Sequence, residues 1–329
     1  MARTFGHGVL ILAGLFWFLG CSPSAMRWFS AQGWMADDYR FGDLYRFSNL
    51  AEFRSPRETC TTVPSPVKQP NTHLVLLGDS FTEPGRVGAE DFGFAHFTRL
   101  HIAEGGTCQL NPTQRTILVL ETVERHFQER FQSPYRALTL NSEKATAPTP
   151  NTSWPDWRLP YDEERHQAFL FSSAFFLRIK ECKAWINHKI LGRVDNHVFL
   201  SPDQQHLFYH VDREAGLTNG FAPISHAAVS TYIESLNATR DRYLSMGFDE
   251  VYLSIIPNKS SILGRNTGEY NRLVERIQTH PDLKMPFLDM WSPMEKLKTR
   301  GYAKGDTHWT CEGQKAWVDQ INQLLQASP

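Results

Sequence analysis

Apolar residues along this chain gather into short unbroken runs separated by amphipathic stretches. His73–Leu77, closed by Gly78, is one such run; Thr116–Leu120 and Val251–Ile256, the latter closed by Pro257, are two more. Runs of this length without alternation suit strands covered on both faces. Pro286–Met290 is a fourth, shorter run. Elsewhere the spacing is helical: Asp91–Glu104 sets Phe94, Phe97, His101 and Ile102 near one face, Glu121–Phe127 opens a helix after the second strand, Ser230–Met246 runs up to the breaker Gly247, and another helix starts near Thr310. Strands alternating with helices predict an α/β fold built on a doubly wound parallel sheet. Such sheets bind ligands beyond the carboxyl ends of their strands, and Ser80, Glu121 and Asn258 all fall just past a strand in this reading.

The spacing also predicts an organisation. Residues 22–70 form an extended lead-in that closes on Pro64, Pro66 and Pro70, and residues 71–329 form the main domain. A long insertion at about residues 133–225 separates the second strand from the third. Within it, Ala145–Pro160 reads as loop and Glu164–Leu191 as a long amphipathic helix, with Ala168, Phe171, Phe175, Ile179, Cys182, Ile186 and Ile190 near helical spacing. Val198–Leu200 and Leu207–Tyr209 read as a hairpin.

Residues 1–21 carry a different signal. Arg3 precedes the apolar run Val9–Leu19, which is short for a membrane span but fits the hydrophobic region of an export signal. Leu19-Gly20-Cys21 resembles the end of a bacterial lipobox, which makes Cys21 a lipidation candidate; an uncleaved signal anchor is the alternative. Both predict an exported protein, periplasmic or at the cell surface, associated with a membrane through its N-terminus.

Charge and cysteine content narrow the field. Lys and Arg number 34 against 35 Asp and Glu, so the chain as a whole has no electrostatic footprint for nucleic acid or an anionic membrane. Cys60, Cys108, Cys182 and Cys311 permit two disulfides in three pairings, or remain free thiols. None has CxxC spacing, so no metal site is expected, and no residue pattern calls for a cofactor.

The chemistry lies at the two ends of the main domain. Gly78-Asp79-Ser80 follows the first strand, and Asp306-Thr307-His308-Trp309 precedes the last helix. A serine hydroxyl becomes a useful nucleophile when a base takes its proton, and an imidazole is the better base when a carboxylate fixes its tautomer. Ser80, His308 and Asp306 supply these three parts. Asp79 and Ser80 also suit helix capping, and Asp306–His308 also suits a polar loop before a helix capped by Thr310, with Gly313 allowing close packing in its first turn.

These segments resemble the SGNH (GDSL-type) hydrolases. Gly78-Asp79-Ser80 comes first and Asp-x-His last, as in that superfamily. Asp306-x-His308-Trp309-Thr310 with Gly313, the Pro257-x-Lys259 strand end, Glu124-Arg125, and more loosely Asp203–Tyr209 are similar to the alginate O-acetyltransferase branch (AlgJ- and AlgX-like) and related polysaccharide acetyltransferases. The likeness spans roughly residues 72–325. It departs from that branch in placing the serine motif before the Asp-x-His motif, and from the superfamily in lacking a Gly-x-Asn-Asp block. The resemblance implies a three-layer SGNH/flavodoxin-like fold and an acyl-serine mechanism. It also implies a polysaccharide or oligosaccharide acceptor and a membrane acetyl-donor protein as partners. The Ser80 N–H would face the oxyanion, and Asp79, Arg125, Asn258, Lys259 and Trp309 are candidates for oxyanion or substrate binding. The expected function is O-acetyl transfer to a cell-surface or secreted polysaccharide. A secreted carbohydrate acetyl-esterase and a non-catalytic carbohydrate-binding protein of the same fold are the alternatives.

Overall fold

A computed structural model describes residues 2–22, 25–26, 28–29, 32, 34, 39–56, 58–60, 69–140, 168–214 and 216–326. The Ala145–Pro160 loop, residues 164–167 of the expected long helix, and Pro64 and Pro66 of the lead-in lie outside the described residues. The chain divides into two compact units, residues 1–57 with 146–195, and residues 58–145 with 196–329. The expected insertion is therefore split. Its middle part joins the N-terminal segment, whereas 196–225 belongs to the unit that carries the sheet.

The strands of the second unit are β1 (Gln69–Gly78), β2 (Phe94–His101), β3 (Gly106–Cys108), β4 (Arg115–Val123), β5 (Leu138–Leu140), β6 (Val198–Leu200), β7 (Leu207–Tyr209), β8 (Glu250–Ile256) and β9 (Phe287–Leu288). Five of them form one sheet in the order β2-β1-β4-β8-β9, and every pairing in it is parallel. Strand order reverses between β1 and β4, where a crevice opens past the carboxyl ends of parallel strands. The expected hairpin is the antiparallel pair β6–β7.

In chain order the helices are α1 (Ala2–Cys21), α2 (Asp43–Ser48), α3 (Glu124–Arg130), α4 (Ala174–Trp185), α5 (His226–Ser245), α6 (Lys259–Leu263), α7 (Leu273–Gln278), α8 (Trp291–Leu297) and α9 (Cys311–Gln326). Side chains of β1 alternate between two cores. Val75 and Leu77 join Leu118, Leu120 and Leu253 under Ile233 and Leu236 of α5, while Leu74 and Leu76 join Ile117 and Val119 under Trp317 and Ile321 of α9. The unbroken apolar runs therefore exist because helices cover both faces of the sheet. Each fully buried aliphatic side chain contributes roughly 1.5–3 kcal/mol.

Two elements differ from expectation. Residues Asp91–Glu104, read as a helix, supply β2 instead, paired from His73↔His96 to Gly78↔His101. Phe97 packs on the α9 side and Leu100 on the α5 side, so the apolar spacing there serves a period of two as well as it serves a helix. The open edge of β1 decides the matter, because a strand satisfies its unpaired backbone groups and a helix would not. The second difference is that β4 continues to Val123 before α3 begins. Glu121 thus lies inside the strand, fully buried, rather than past its end.

Among the described residues one disulfide forms, Cys60–Cys311, across a sequence separation of 251 residues. Cys108 is a buried free thiol and Cys182 an exposed one. The bond ties the segment before β1 to the first residue of α9. Thr310 caps α9, its Oγ1 accepting from Gly313 N at 3.4 Å. A Cβ on Gly313 would stand 2.6 Å from Gly301 O and 2.7 Å from Trp309 Cβ, so the close approach there admits only glycine.

Gly313→Ala is expected to destabilise the protein by about 1–3 kcal/mol through overpacking, seen as a lowered midpoint in urea; an unchanged midpoint would show that the α9 start can shift freely.

Candidate active site

β1 ends at Gly78, and the chain turns at once into a single 3-10 turn, Ser80–Thr82. A Cβ at Gly78 would lie 2.0 Å from Thr82 Oγ1 and 3.2 Å from Glu121 Oε2, so the turn can fold back on β4 only with glycine there. Asp79 caps the turn, its Oδ1 accepting from Ser80 N at 2.8 Å. Its other oxygen is held by Arg130 at 2.6 Å. Burial opposes a charge on Asp79, yet Arg130 and the Ser80 N–H hold its carboxyl down at about 2. Glu121 supports the turn from below, with Oε2 accepting from Asp79 N at 2.7 Å and from Thr82 Oγ1 at 2.9 Å.

The other half of the site is the loop between α8 and α9. Tyr302 and Trp309 bridge across it, Ala303 N donates to His308 O at 3.1 Å, and Tyr302 Oη donates to Pro257 O at 2.8 Å. Lys259 fills the middle of this loop. Its side chain is buried, and Nζ donates to the carbonyls of Asp306 at 2.7 Å, Ala303 at 2.8 Å and Lys304 at 3.2 Å.

The loop and the turn meet at one hydroxyl. His308 Nε2 lies 2.9 Å from Ser80 Oγ, although the two residues are 228 apart in sequence. Asp306 Oδ1 accepts from His308 Nδ1 at 2.5 Å and from His308 N at 2.9 Å. An ionised carboxylate only accepts, so Nδ1 carries the ring proton and Nε2 is left as acceptor for the serine hydroxyl. Burial works against the charge on Asp306, but His308 and Arg86, the latter 4.0 Å away, hold its carboxyl well below the usual carboxylate range. The His308 ring also lies against Phe81, with centroids 4.8 Å apart. Hydroxyl, imidazole and carboxylate thus stand in hydrogen-bonding sequence, the arrangement that acyl transfer through a serine needs.

The remaining candidates are placed differently. Arg125 is not paired along its helix with Glu121; its Nε donates to buried Asp212 at 3.0 Å. Asp212 also accepts from Ser260 Oγ at 2.6 Å. Asn258 Oδ1 accepts from Arg125 N at 3.3 Å, and the Nδ2 of this buried side chain makes no hydrogen bond. Lys259 is neither a solvated loop residue nor a group presented to the serine; it is committed to the backbone of the His308 loop. Trp309 is buried between Phe81 and Trp317. Ser80 N, expected to face an oxyanion, is taken by Asp79 in this state. Arg130 and Asp212 went unnoticed in the sequence, and Glu124 was noted there only beside Arg125, with no role. Glu124 accepts from Asn258 N and from Tyr270 Oη, each at 2.8 Å. Their partners lie on other elements, and no local pattern announces them. No family model, curated protein or solved structure matches the chain.

Two predictions follow from the buried charges. Burial, with the nearby Asp79 charge adding to it, raises the Glu121 carboxyl to about 8, and burial raises Glu124 to about 7, both from an ordinary 4.5. An acid whose pKa is raised on folding contributes stability in full below its unfolded pKa and loses it as pH rises through its folded pKa. Stability should therefore fall across pH 5–8, by about 1.4 kcal/mol per pH unit for each such group. Glu121→Gln should flatten this slope by about one proton in urea titrations above pH 6.5, where His206, lowered to about 4 chiefly by burial, has finished titrating. An unchanged slope would place the proton elsewhere. Lys259→Met should cost about 3 kcal/mol by orphaning buried carbonyls, and should lower turnover more than it raises KM.

Proposed function

We propose that this chain is a serine acyl-transfer enzyme that moves acetyl groups onto a cell-surface or secreted polysaccharide. The observation that carries this reading is the relay Ser80 Oγ–His308 Nε2 at 2.9 Å and His308 Nδ1–Asp306 Oδ1 at 2.5 Å. The acetyl group and the carbohydrate acceptor come from the resemblance to polysaccharide O-acetyltransferases, while export, with a lipid at Cys21 or an uncleaved signal anchor, comes from the apolar run Val9–Leu19 and the lipobox-like Leu19-Gly20-Cys21.

In this mechanism Ser80 Oγ attacks the acetyl carbonyl as His308 Nε2 takes its proton. The tetrahedral intermediate collapses, and the proton passes from His308 to the departing group. A sugar hydroxyl then gives its proton to His308 and attacks the acetyl-serine, the acetyl group leaves as a new sugar ester, and His308 passes the proton to the departing Ser80 Oγ. Asp306 keeps the imidazole in the competent tautomer and stabilises its cation without taking the proton itself.

The test is an aryl-acetate assay on the purified protein with and without a soluble oligosaccharide. Acetylated oligosaccharide supports the proposal, release to water alone makes the protein an esterase, and no turnover in either arm makes it a binding protein. Ser80→Ala and His308→Ala should each abolish turnover with little change in stability, because nucleophile and base fail together. Asp306→Asn should lower kcat by about 10⁴. Activity within a few-fold of the parent after Ser80→Ala would rule out an acetyl-serine.

A further inference from the structure

Helix α4 in the first unit is turned inside out. Phe175, Ile179, Cys182, Ile186 and Ile190 recur at steps of three and four residues and so form one stripe along α4 and the π-turn Ile186–Ile190 that continues it. That stripe faces outward: Phe175 is 67% exposed, Ile190 65% and Ile179 52%. The opposite face, through Leu177 and Glu181, is the buried one. Glu181 is only 8% exposed, accepts from Tyr45 Oη at 2.6 Å and pairs with Arg54 at 3.1 Å. A helix of a water-soluble unit buries its apolar stripe and exposes its acids, and α4 does the reverse.

Charge says what covers the stripe. Between residues 170 and 194 there are five cations, Arg178, Lys180, Lys183, Lys189 and Arg193, and Glu181 is the only acid. By helical phase Arg178 lies on one flank of the stripe, beside Lys189, which pairs with Glu52 at 3.6 Å, and Lys183 on the other, where long basic side chains reach lipid headgroups while their stems rest on apolar surface. Exposed Trp185 shares the first flank and is a residue type favoured at the headgroup level.

The surface also continues onto α1. Phe16 meets Phe169, just before α4, with ring centroids 5.5 Å apart, and α1 exposes Leu10, Ile11, Leu15 and Phe18. No helix among the described residues is long and apolar enough to cross a membrane. We propose that α4 is an interfacial helix that lays its Phe175–Ile190 stripe into an anionic phospholipid surface, as a second membrane contact beside α1.

Cys182 reports on this directly, since it is exposed on the stripe while Cys108 is buried and Cys60 and Cys311 are bonded to each other. The full chain carrying Cys21→Ser would be labelled at Cys182 with a polarity-sensitive dye. It would then be mixed with vesicles of phosphatidylcholine, or of phosphatidylcholine with about one-third phosphatidylglycerol. The dye should shift to the blue with the anionic vesicles and be quenched by brominated acyl chains. Arg178→Glu with Lys183→Glu should weaken this binding about tenfold or more, as should added salt. A dye that stays in water while the chain floats with vesicles through α1 would overturn the proposal, as would no binding at all. A blue shift without lipid that grows with protein concentration would also overturn it, showing that a second copy covers the stripe.

Discussion

The ammonium group of Lys259 sits where the carbonyls of Ala303, Lys304 and Asp306 converge, and the position of the imidazole depends on it. A loop of this kind has few apolar side chains to hold it, and its backbone acceptors need partners once buried. Three charge-assisted hydrogen bonds from one buried cation supply them. Because Lys259 begins α6 directly after β8, the sheet dictates where the cation stands. Geometry thus passes from β8 through Lys259 to Asp306 and so to His308. The serine is placed by an independent route, through Gly78, Glu121 and Arg130 against β4. The short Ser80–His308 distance is the meeting of two separately anchored halves.

This division explains what could be read from the sequence. The central strands β1, β4 and β8 were legible because burial on both faces leaves an unbroken apolar run that little else produces. Edge strand β2 was not, since Phe97 and Leu100 satisfy two periods and only the vacant edge of β1 selects one. Ser80, Asp306 and His308 were legible because each lies in a short motif beside a recognisable element. The supporting charges were not. Arg130 reaches Asp79 across 51 residues, and Arg125 reaches Asp212 across 87. A lysine written Pro-x-Lys after a strand looks the same whether it faces a substrate or a loop backbone.

The two units follow opposite rules of burial. Around the sheet, apolar groups are inside and every buried charge named here has a partner of opposite sign or a hydrogen bond. In α4 the acid is inside and the apolar groups are outside, with cations flanking them. Periodicity marked the stripe from Phe175 to Ile190, but it read one unbroken helix from Glu164 where the chain breaks at Ser172-Ser173 before α4, and it could not say which way the stripe would face. The inward pull of Tyr45 and Arg54 on Glu181 sets the rotation of α4, a tertiary fact.

The sequence separation of 228 from Ser80 to His308 has a bearing on time as well as on space. A ribosome makes Ser80, the capping Asp79 and all five strands of the sheet before it makes His308. While the chain is being synthesised, Ser80 is an ordinary hydroxyl with nothing to draw off its proton. Asp306 and His308 arrive together with Cys311, whose bond to Cys60 fastens the newest part of the sheet-bearing unit to the oldest. In a growing chain the Ser80–His308 contact therefore cannot form until the sheet can already be complete.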